Sequence, residues 1–183
     1  MEDYKSGKTQ KLAFIGLAAA IICVLGPLVL NIPVSPVPIS LAIFAIYIAV
    51  YACGLLNGTI AVLIYLLLGL VGVPVFSNFS GGVGKLFGPT GGYLIGYIFV
   101  AIVAGFFIDK FPTKAYMHAI GMVLGTGICY VFGTLWLAHQ ASMDLKAAFM
   151  AGVIPFSPAD LVKMAVAIPV GMALRKALNH IKK

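Results

Sequence analysis

Charge is what this sequence has least of. Charged residues occupy 9% of its 183 positions, only five residues are acidic, and 62% are hydrophobic. A chain so poor in charge is a poor candidate for a water-facing globular surface. Metal and thiol chemistry are equally thin. Cys23, Cys53 and Cys129 lie singly inside apolar segments, and His118, His139 and His180 are far apart, with no partners at metal-ligand spacing. The cysteines read as small apolar packing residues; His180 belongs to a basic tail, His118 to a membrane boundary and His139 to the head of a loop. A nucleotide-hydrolysing loop is missing too. The run from Gly81 to Lys85 approaches the phosphate-binding pattern, but that pattern needs glycine at position 79 and a hydroxyl residue at 86, where the chain has Phe79 and Leu86. ATP-driven work therefore falls to a partner. Lys85 is then either a solvated loop lysine or a distant contact for a ligand carboxylate. Internal repeats, linkers and low-complexity tracts are not apparent.

What the chain has in abundance is long apolar runs. Read for stretches of about 17–25 residues, the length that crosses a bilayer as a helix, it shows six: 12–30, 39–56, 58–76, 91–108, 115–138 and 158–178. These fill the chain, so the expectation is an all-α integral membrane protein, a single domain over 1–183 with six transmembrane helices. The first run follows Lys5, Lys8 and Lys11 but leads into Asn31-Ile-Pro with no small-residue cleavage site, and is taken as an uncleaved helix. Six spans put both termini on one side. That side carries nine basic residues (Lys5, Lys8, Lys11, Lys110, Lys114, Arg175, Lys176, Lys182, Lys183) against three opposite (Lys85, Lys146, Lys163), so both termini are expected in the cytoplasm. The net charge of +7 is then mainly an orientation signal and a contact for anionic membrane lipid; it carries no implication of nucleic-acid binding.

Three connections, 31–38, 73–90 and 139–157, are expected to face outward, and they hold most of the unusual chemistry. The first has three prolines within 33–38, which deny it a helix. The second mixes aromatics, small hydroxyls and glycines that let backbone approach a ligand closely. Irregular backbone at membrane depth is tolerated only where it is buried in protein or lines a cavity. The inward connections, around Asn57 and 109–114, read as plain turns. An outward-opening pocket walled by Phe76, Phe79 and Tyr93 and anchored by Asn78, Asp160 and Lys163 has the make-up of a small-molecule site, a few polar groups among apolar walls.

Asp160 and Lys163 are the most informative of these. Spacing of three puts both on one helix face, and ionisable residues in a membrane segment point to function by default. The plainer reading is a capped helix start, with Ser157 at the cap, Pro158 after it and an acid three beyond the cap. It leaves Lys163 unexplained, unless Lys163 snorkels outward or merely pairs with Asp160. On the first helix Gly16 and Ala20 stand four apart beside Ala13, Ala18 and Ala19, a small-residue face that admits a neighbouring helix, either inside the domain or from a partner. Aromatics near segment ends read as interfacial belt residues.

The runs beginning at Pro33 (Pro-Val-Ser-Pro-Val-Pro-Ile-Ser-Leu), Tyr65 (Tyr-Leu-Leu-Leu-Gly-Leu-Val-Gly-Val-Pro-Val-Phe), Gly88 (Gly-Pro-Thr-Gly-Gly-Tyr-Leu-Ile-Gly) and Pro155 (Pro-Phe-Ser-Pro-Ala-Asp-Leu-Val-Lys), in this order and over almost the whole chain, resemble the BioY family, the biotin-binding S components of energy-coupling factor (ECF) transporters. The resemblance implies high-affinity capture of biotin from outside the cell. It also implies delivery through an ECF module of a transmembrane T component and two ATPases, with no enzymatic activity or cofactor of the chain's own. It implies docking to that module through Gly16 and Ala20, and biotin contacts at Asp160 and Lys163. A ureido ring offers two N–H donors and one carbonyl. Asp160 and Asn78 suit the ring, Lys163 suits the urea oxygen or the valerate carboxylate, and Phe76, Phe79 and Tyr93 would wall the rest. Three positions depart from the family pattern: Ala159 stands where glycine is expected, Gly16 where alanine is, and Ala42 where glutamine often is. The first two preserve size; the third removes a polar group, and no role is carried over to it.

Two other classes fit less well. A membrane-embedded enzyme using Asp160 as acid or base needs a second catalytic group at suitable spacing, and none is visible. A channel or ion-coupled carrier would ordinarily place polar residues through mid-membrane or show inverted repeats with broken helices.

Overall fold

The computed structural model describes residues 7–30 and 37–181. Lys5, Lys182, Lys183 and most of the proline-rich connection, residues 31–36, lie outside the described residues. In order along the chain come α1 (Lys8–Leu25), β1 (Val29–Leu30), β2 (Ile39–Ser40), α2 (Ala42–Leu70), α3 (Val83–Leu86), α4 (Gly91–Lys110), α5 (Ala115–Gln140), α6 (Leu145–Gly152) and α7 (Ser157–Ile181). A bilayer core offers no water to satisfy backbone N–H and C=O groups, so runs this apolar fold as helices whose hydrogen bonds are internal. Among the described residues four helices, α1, α2, α4 and α5, are long and apolar enough to cross a membrane. A fifth span results if α6 and α7, bent by 43°, are counted together.

The expected segments at 91–108 and 115–138 coincide with α4 and α5 to within two residues at either end, and 158–178 lies on α7 to within three; the first three need correction. The run 12–30 is not one helix. Proline at 27 stops α1 two residues after Leu25, and Val29 and Leu30 instead pair antiparallel with Ser40 and Ile39. The runs 39–56 and 58–76 both fall on α2, which is interrupted at Gly54 (φ 79°, ψ 179°), a conformation open essentially to glycine alone. A Cβ on Gly58 would lie 2.9 Å from the Cα of Val50. Eight residues of unbroken helix would separate them by about 12 Å, so the chain reverses at Gly54 and the halves of α2 lie against each other. The turn thus sits at Gly54, three residues before the expected Asn57, and α2 ends at Leu70, leaving Phe76 in a connection. The connection 139–157 is not irregular. It contains α6, whose N-cap Asp144 accepts a hydrogen bond from the Lys146 N–H at 3.2 Å.

α4 sits between α2 and α5, with α1 and α7 packed on α2 and α6 on α5. Lipid gives helices no hydrophobic reason to associate, so close packing and buried hydrogen bonds hold them. At the α4–α5 seam a Cβ on Gly96 would fall 2.6 Å from Cys129 Sγ and 2.9 Å from its Cα, so only glycine permits this approach. Between helices, Tyr47 shares a 2.6 Å hydrogen bond with Thr126. His118 lies 2.9 Å from the Tyr51 hydroxyl through Nδ1 and 2.9 Å from the Phe111 carbonyl through Nε2. The carbonyl can only accept, so Nε2 carries the proton and Nδ1 accepts from the tyrosine. Tyr47, Tyr51 and Tyr65 are therefore core residues, exposed by 0%, 1% and 1%. Their hydroxyls require partners once buried, and the first two find them on other helices.

Candidate ligand-binding site

The first two turns of α7 carry Asp160 and Lys163, and both side chains point into the protein, 3% and 9% exposed. Their helical spacing lets the Lys163 ammonium donate to Asp160 Oδ1 at 2.8 Å, and it donates again to the main-chain carbonyl of Ser40 at 2.6 Å. The other carboxylate oxygen, Oδ2, accepts from the Tyr130 hydroxyl on α5 at 2.5 Å. Three elements distant in sequence, β2, α5 and α7, thus converge on one ion pair. Such a pair is costly to bury and holds only when its remaining hydrogen-bonding capacity is met. The capped-start reading is not built here: the Ser157 hydroxyl donates to the Ile154 carbonyl at 3.2 Å, and the Asp160 oxygens turn to Lys163 and Tyr130.

Ser40 is itself tied down. Its hydroxyl donates to the Gly26 carbonyl at 2.8 Å and accepts from the Ala42 N–H at 2.9 Å, joining the end of α1 to the start of α2. Beside the pair lies a cavity walled by Val37, Ile43, Tyr93, Tyr97, Tyr130 and Phe156, with Ser40, Asp160 and Lys163 as its polar face. The free space there is about 30 Å³, so anything larger than a couple of water molecules seats there only if side chains part.

Of the residues singled out from sequence, the structure brings Asp160, Lys163 and Tyr93 together. Tyr93, in the first turn of α4, also donates to the Gly152 carbonyl at 3.0 Å. The others stand elsewhere. Phe76 is fully buried with its ring edge-on to Tyr65, so it packs the core beneath the 73–90 connection. Phe79 is 66% exposed and Asn78 is exposed as well; both occupy the left-handed region (φ 52° and 60°) in the tight turn closed by the Phe76–Ser80 bridge. Asparagine tolerates that conformation, whereas phenylalanine is strained in it. Lys85 is half-buried in α3, and burial pushes its ammonium below the usual range. On α1, Gly16 and Ala20 face outward with Leu12, Leu17 and Val24, while Ala18 and Ala19 face α2 and the core. The small-residue face thus splits, and Gly16 and Ala20 belong to its uncovered side.

Sequence reasoning missed Ser40, Tyr97, Tyr130 and Phe156. Tyr97 had a signal, since it lies four residues after Tyr93 and so on the same helix face. Tyr130, a lone hydroxyl-bearing ring in the middle of an apolar run, had one too. Ser40 had none, because its contribution is a main-chain carbonyl.

The far end of the helices carries a second polar cluster. Asp109 at the end of α4 accepts from Arg175 at 2.7 Å and, through its other oxygen, from the Leu55 N–H at 2.7 Å. It therefore caps the half-helix that starts after the Gly54 reversal. The connection expected to be a plain turn holds this anchor.

Comparison with known proteins gives a consistent picture. The family model described as the BioY family matches residues 1–180. The biotin transporter BioY of Thermotoga maritima is 42% identical over 147 residues, covering 80% of this chain and 86% of its own length. Biotin transporter BioY2 of Lactococcus lactis is 34% identical over 176 residues and covers 96% of both chains. The fold is similar to the crystal structure of the S-component for biotin from an ECF-type ABC transporter, with a TM-score of 0.86 at 30% identity over 96% of this chain and 95% of that one. These relatives are named as transporters and not as enzymes.

Proposed function

The chain belongs to the BioY family, and on that premise we propose that it captures biotin from outside the cell with high affinity. It then delivers biotin to the cytoplasm as the substrate-binding component of an ATP-driven uptake transporter. The observation that carries this reading is the buried Asp160–Lys163 pair facing a cavity with aromatic walls. A carboxylate accepts the N–H donors of a ureido ring and an ammonium donates to its oxygen, and charge-assisted bonds of this kind are the strong ones. Tyr93 supplies apolar wall. Asn78 and Phe79, on the strained turn, join the site when that turn folds over a bound ligand; Phe76 supports the turn from the core.

The remaining parts of the reading follow from the same premise. The reversal at Gly54 divides α2 into two short spans, giving six in all, with both termini in the cytoplasm of a bacterial cell and the cavity end outward. The chain hydrolyses no ATP. An ECF module of a T component and two ATP-hydrolysing subunits does so, and it docks on the uncovered Gly16–Ala20 face of α1.

The test is calorimetric titration of biotin into the purified, detergent-solubilised protein alongside Asp160→Asn and Lys163→Ala. Tight binding by wild type that each substitution weakens by about 1.4 kcal/mol or more, a factor of ten, is the expected outcome. No binding by folded, biotin-free wild type would overturn the assignment.

A further inference from the structure

Tyr130 lines two spaces. On one side it walls the cavity beside Asp160, about 30 Å³; on the other it lines a groove of about 380 Å³ between α5 and α6. Along α5 the groove follows Gly127, Tyr130, Val131 and Thr134, which stand three, four and seven residues from the first and so share one stripe of the helix. Phe149 on α6 and Val153 at its C-cap form the facing wall. The groove is open because α5 packs along α4 but only touches α7, and because Gly127 brings no side chain: a Cβ there would have nothing within 4 Å. Its lining is apolar apart from two hydroxyls, and that of Tyr130 is spent on Asp160. Such a space, left empty against hydrocarbon, forfeits dispersion contacts along its whole lining.

Depth and charge indicate what fills it. Gly127 lies midway along α5 (Ala115–Gln140), about 20 Å from the cavity end of that helix at 1.5 Å per residue, and half of a bilayer's hydrocarbon core is about 15 Å. The groove therefore reaches from near the headgroups to the midplane, the depth of one leaflet. Lys146 is exposed and precedes Phe149 by three residues and Val153 by seven, so it heads the face of α6 that walls the groove. Among the described residues its ammonium makes no ion pair, since Asp144 turns its carboxylate to the Lys146 N–H as a cap.

We infer that the groove between α5 and α6 is a binding site for an acyl chain of an anionic phospholipid in the leaflet at the cavity end, with Lys146 receiving the headgroup phosphate and Gly127 leaving room for the chain. An apolar trough headed by a single free ammonium is the complement of such a lipid, a tail below a negative charge. Seated there, the chain backs the Tyr130 ring, which stands between the bilayer and the ligand cavity. The inference needs only the transmembrane placement of α5, and it holds whatever ligand the cavity takes.

The experiment is native mass spectrometry of the full chain released from nanodiscs that hold equal amounts of phosphatidylglycerol and phosphatidylcholine with identical acyl chains. Wild type is expected to emerge as a monomer carrying one lipid, with phosphatidylglycerol favoured about fivefold, the effect of one lysine at an anionic membrane surface. Lys146→Gln is expected to keep a lipid and lose the preference. Gly127→Leu fills the groove from its floor and is expected to lose the lipid. Leu135→Trp blocks it from an exposed position on the same wall, with the same expected loss, and serves if the first variant fails to fold. A lipid retained by a folded blocking variant overturns the site, as does wild type released bare. A preference for phosphatidylglycerol that survives Lys146→Gln overturns the headgroup assignment and the proposal with it. A lipid-free dimer would give the groove to a second copy of the chain and overturn it as well.

Discussion

At Asp160 and Lys163 two charges share one buried site, so the physics of either residue depends on the other. Replacing Lys163 by Met leaves a carboxylate with only the Tyr130 hydroxyl for company, and stranding one member of a buried pair costs about 3–5 kcal/mol. Adding Asp160→Asn to Lys163→Met removes the stranded charge, so the double variant is expected to be less destabilised than the sum of the singles, read as melting temperature in one detergent. Biotin binding should be lost in all three. Tyr51→Phe is a milder case. It leaves Nδ1 of buried His118 without its donor, and thermal unfolding should register a loss of about 1–3 kcal/mol. At this scale the sequence exposed Asp160 and Lys163 because charge is so rare in it. It did not expose Ser40, since a carbonyl is common to every residue, and it promoted Phe76, whose aromatic ring looks the same in a wall as in a core.

Elements are decided by where backbone hydrogen bonds can be satisfied. α4 and α5 are uninterrupted apolar runs with no proline, and they were legible almost to the residue. The run through Gly54 was harder, because its two halves are apolar on either side of a one-residue reversal that hydropathy does not register. Gly54 has φ 79° and its absent Cβ would lie 3.1 Å from Asp109 Oδ2. Gly54→Ala is therefore expected to destabilise by about 1–3 kcal/mol through backbone strain. Asp109→Ala should cost about 1 kcal/mol for the lost Leu55 cap, and more once Arg175 loses its partner. Both effects are readable as melting temperature, and neither should alter the ligand specificity of the distant cavity. β1, β2 and α6 escaped the sequence reading for a related reason: short elements inside connections are stabilised by what they pack on, such as α5 beneath α6, and not by their own periodicity.

For the whole molecule, the distribution of basic residues makes a claim about sidedness that labelling can check. With a membrane-impermeant maleimide, a cysteine at exposed Lys146 should react in intact cells, and one at exposed Lys8 should react only after the inner face is opened. The opposite pattern would invert the topology. The uncovered small-residue face of α1 makes a second claim. Gly16 has nothing within 4 Å of where a Cβ would sit, so Gly16→Leu should leave folding and biotin affinity unchanged while abolishing uptake by the assembled transporter. Retained uptake would move the docking surface elsewhere.

Hydropathy, charge asymmetry and the rarity of ionisable residues are properties of the linear chain, and they were enough to point to a membrane protein, most of its helices and the two residues Asp160 and Lys163, while four motifs in order carried the family resemblance. The composition of the site is another matter. Lys163 meets Ser40 across 123 positions and Asp160 meets Tyr130 across 30. Those contacts exist because the packed helices bring side chains of different elements into one buried space. Which polar groups face one another, and in what order, was settled by packing.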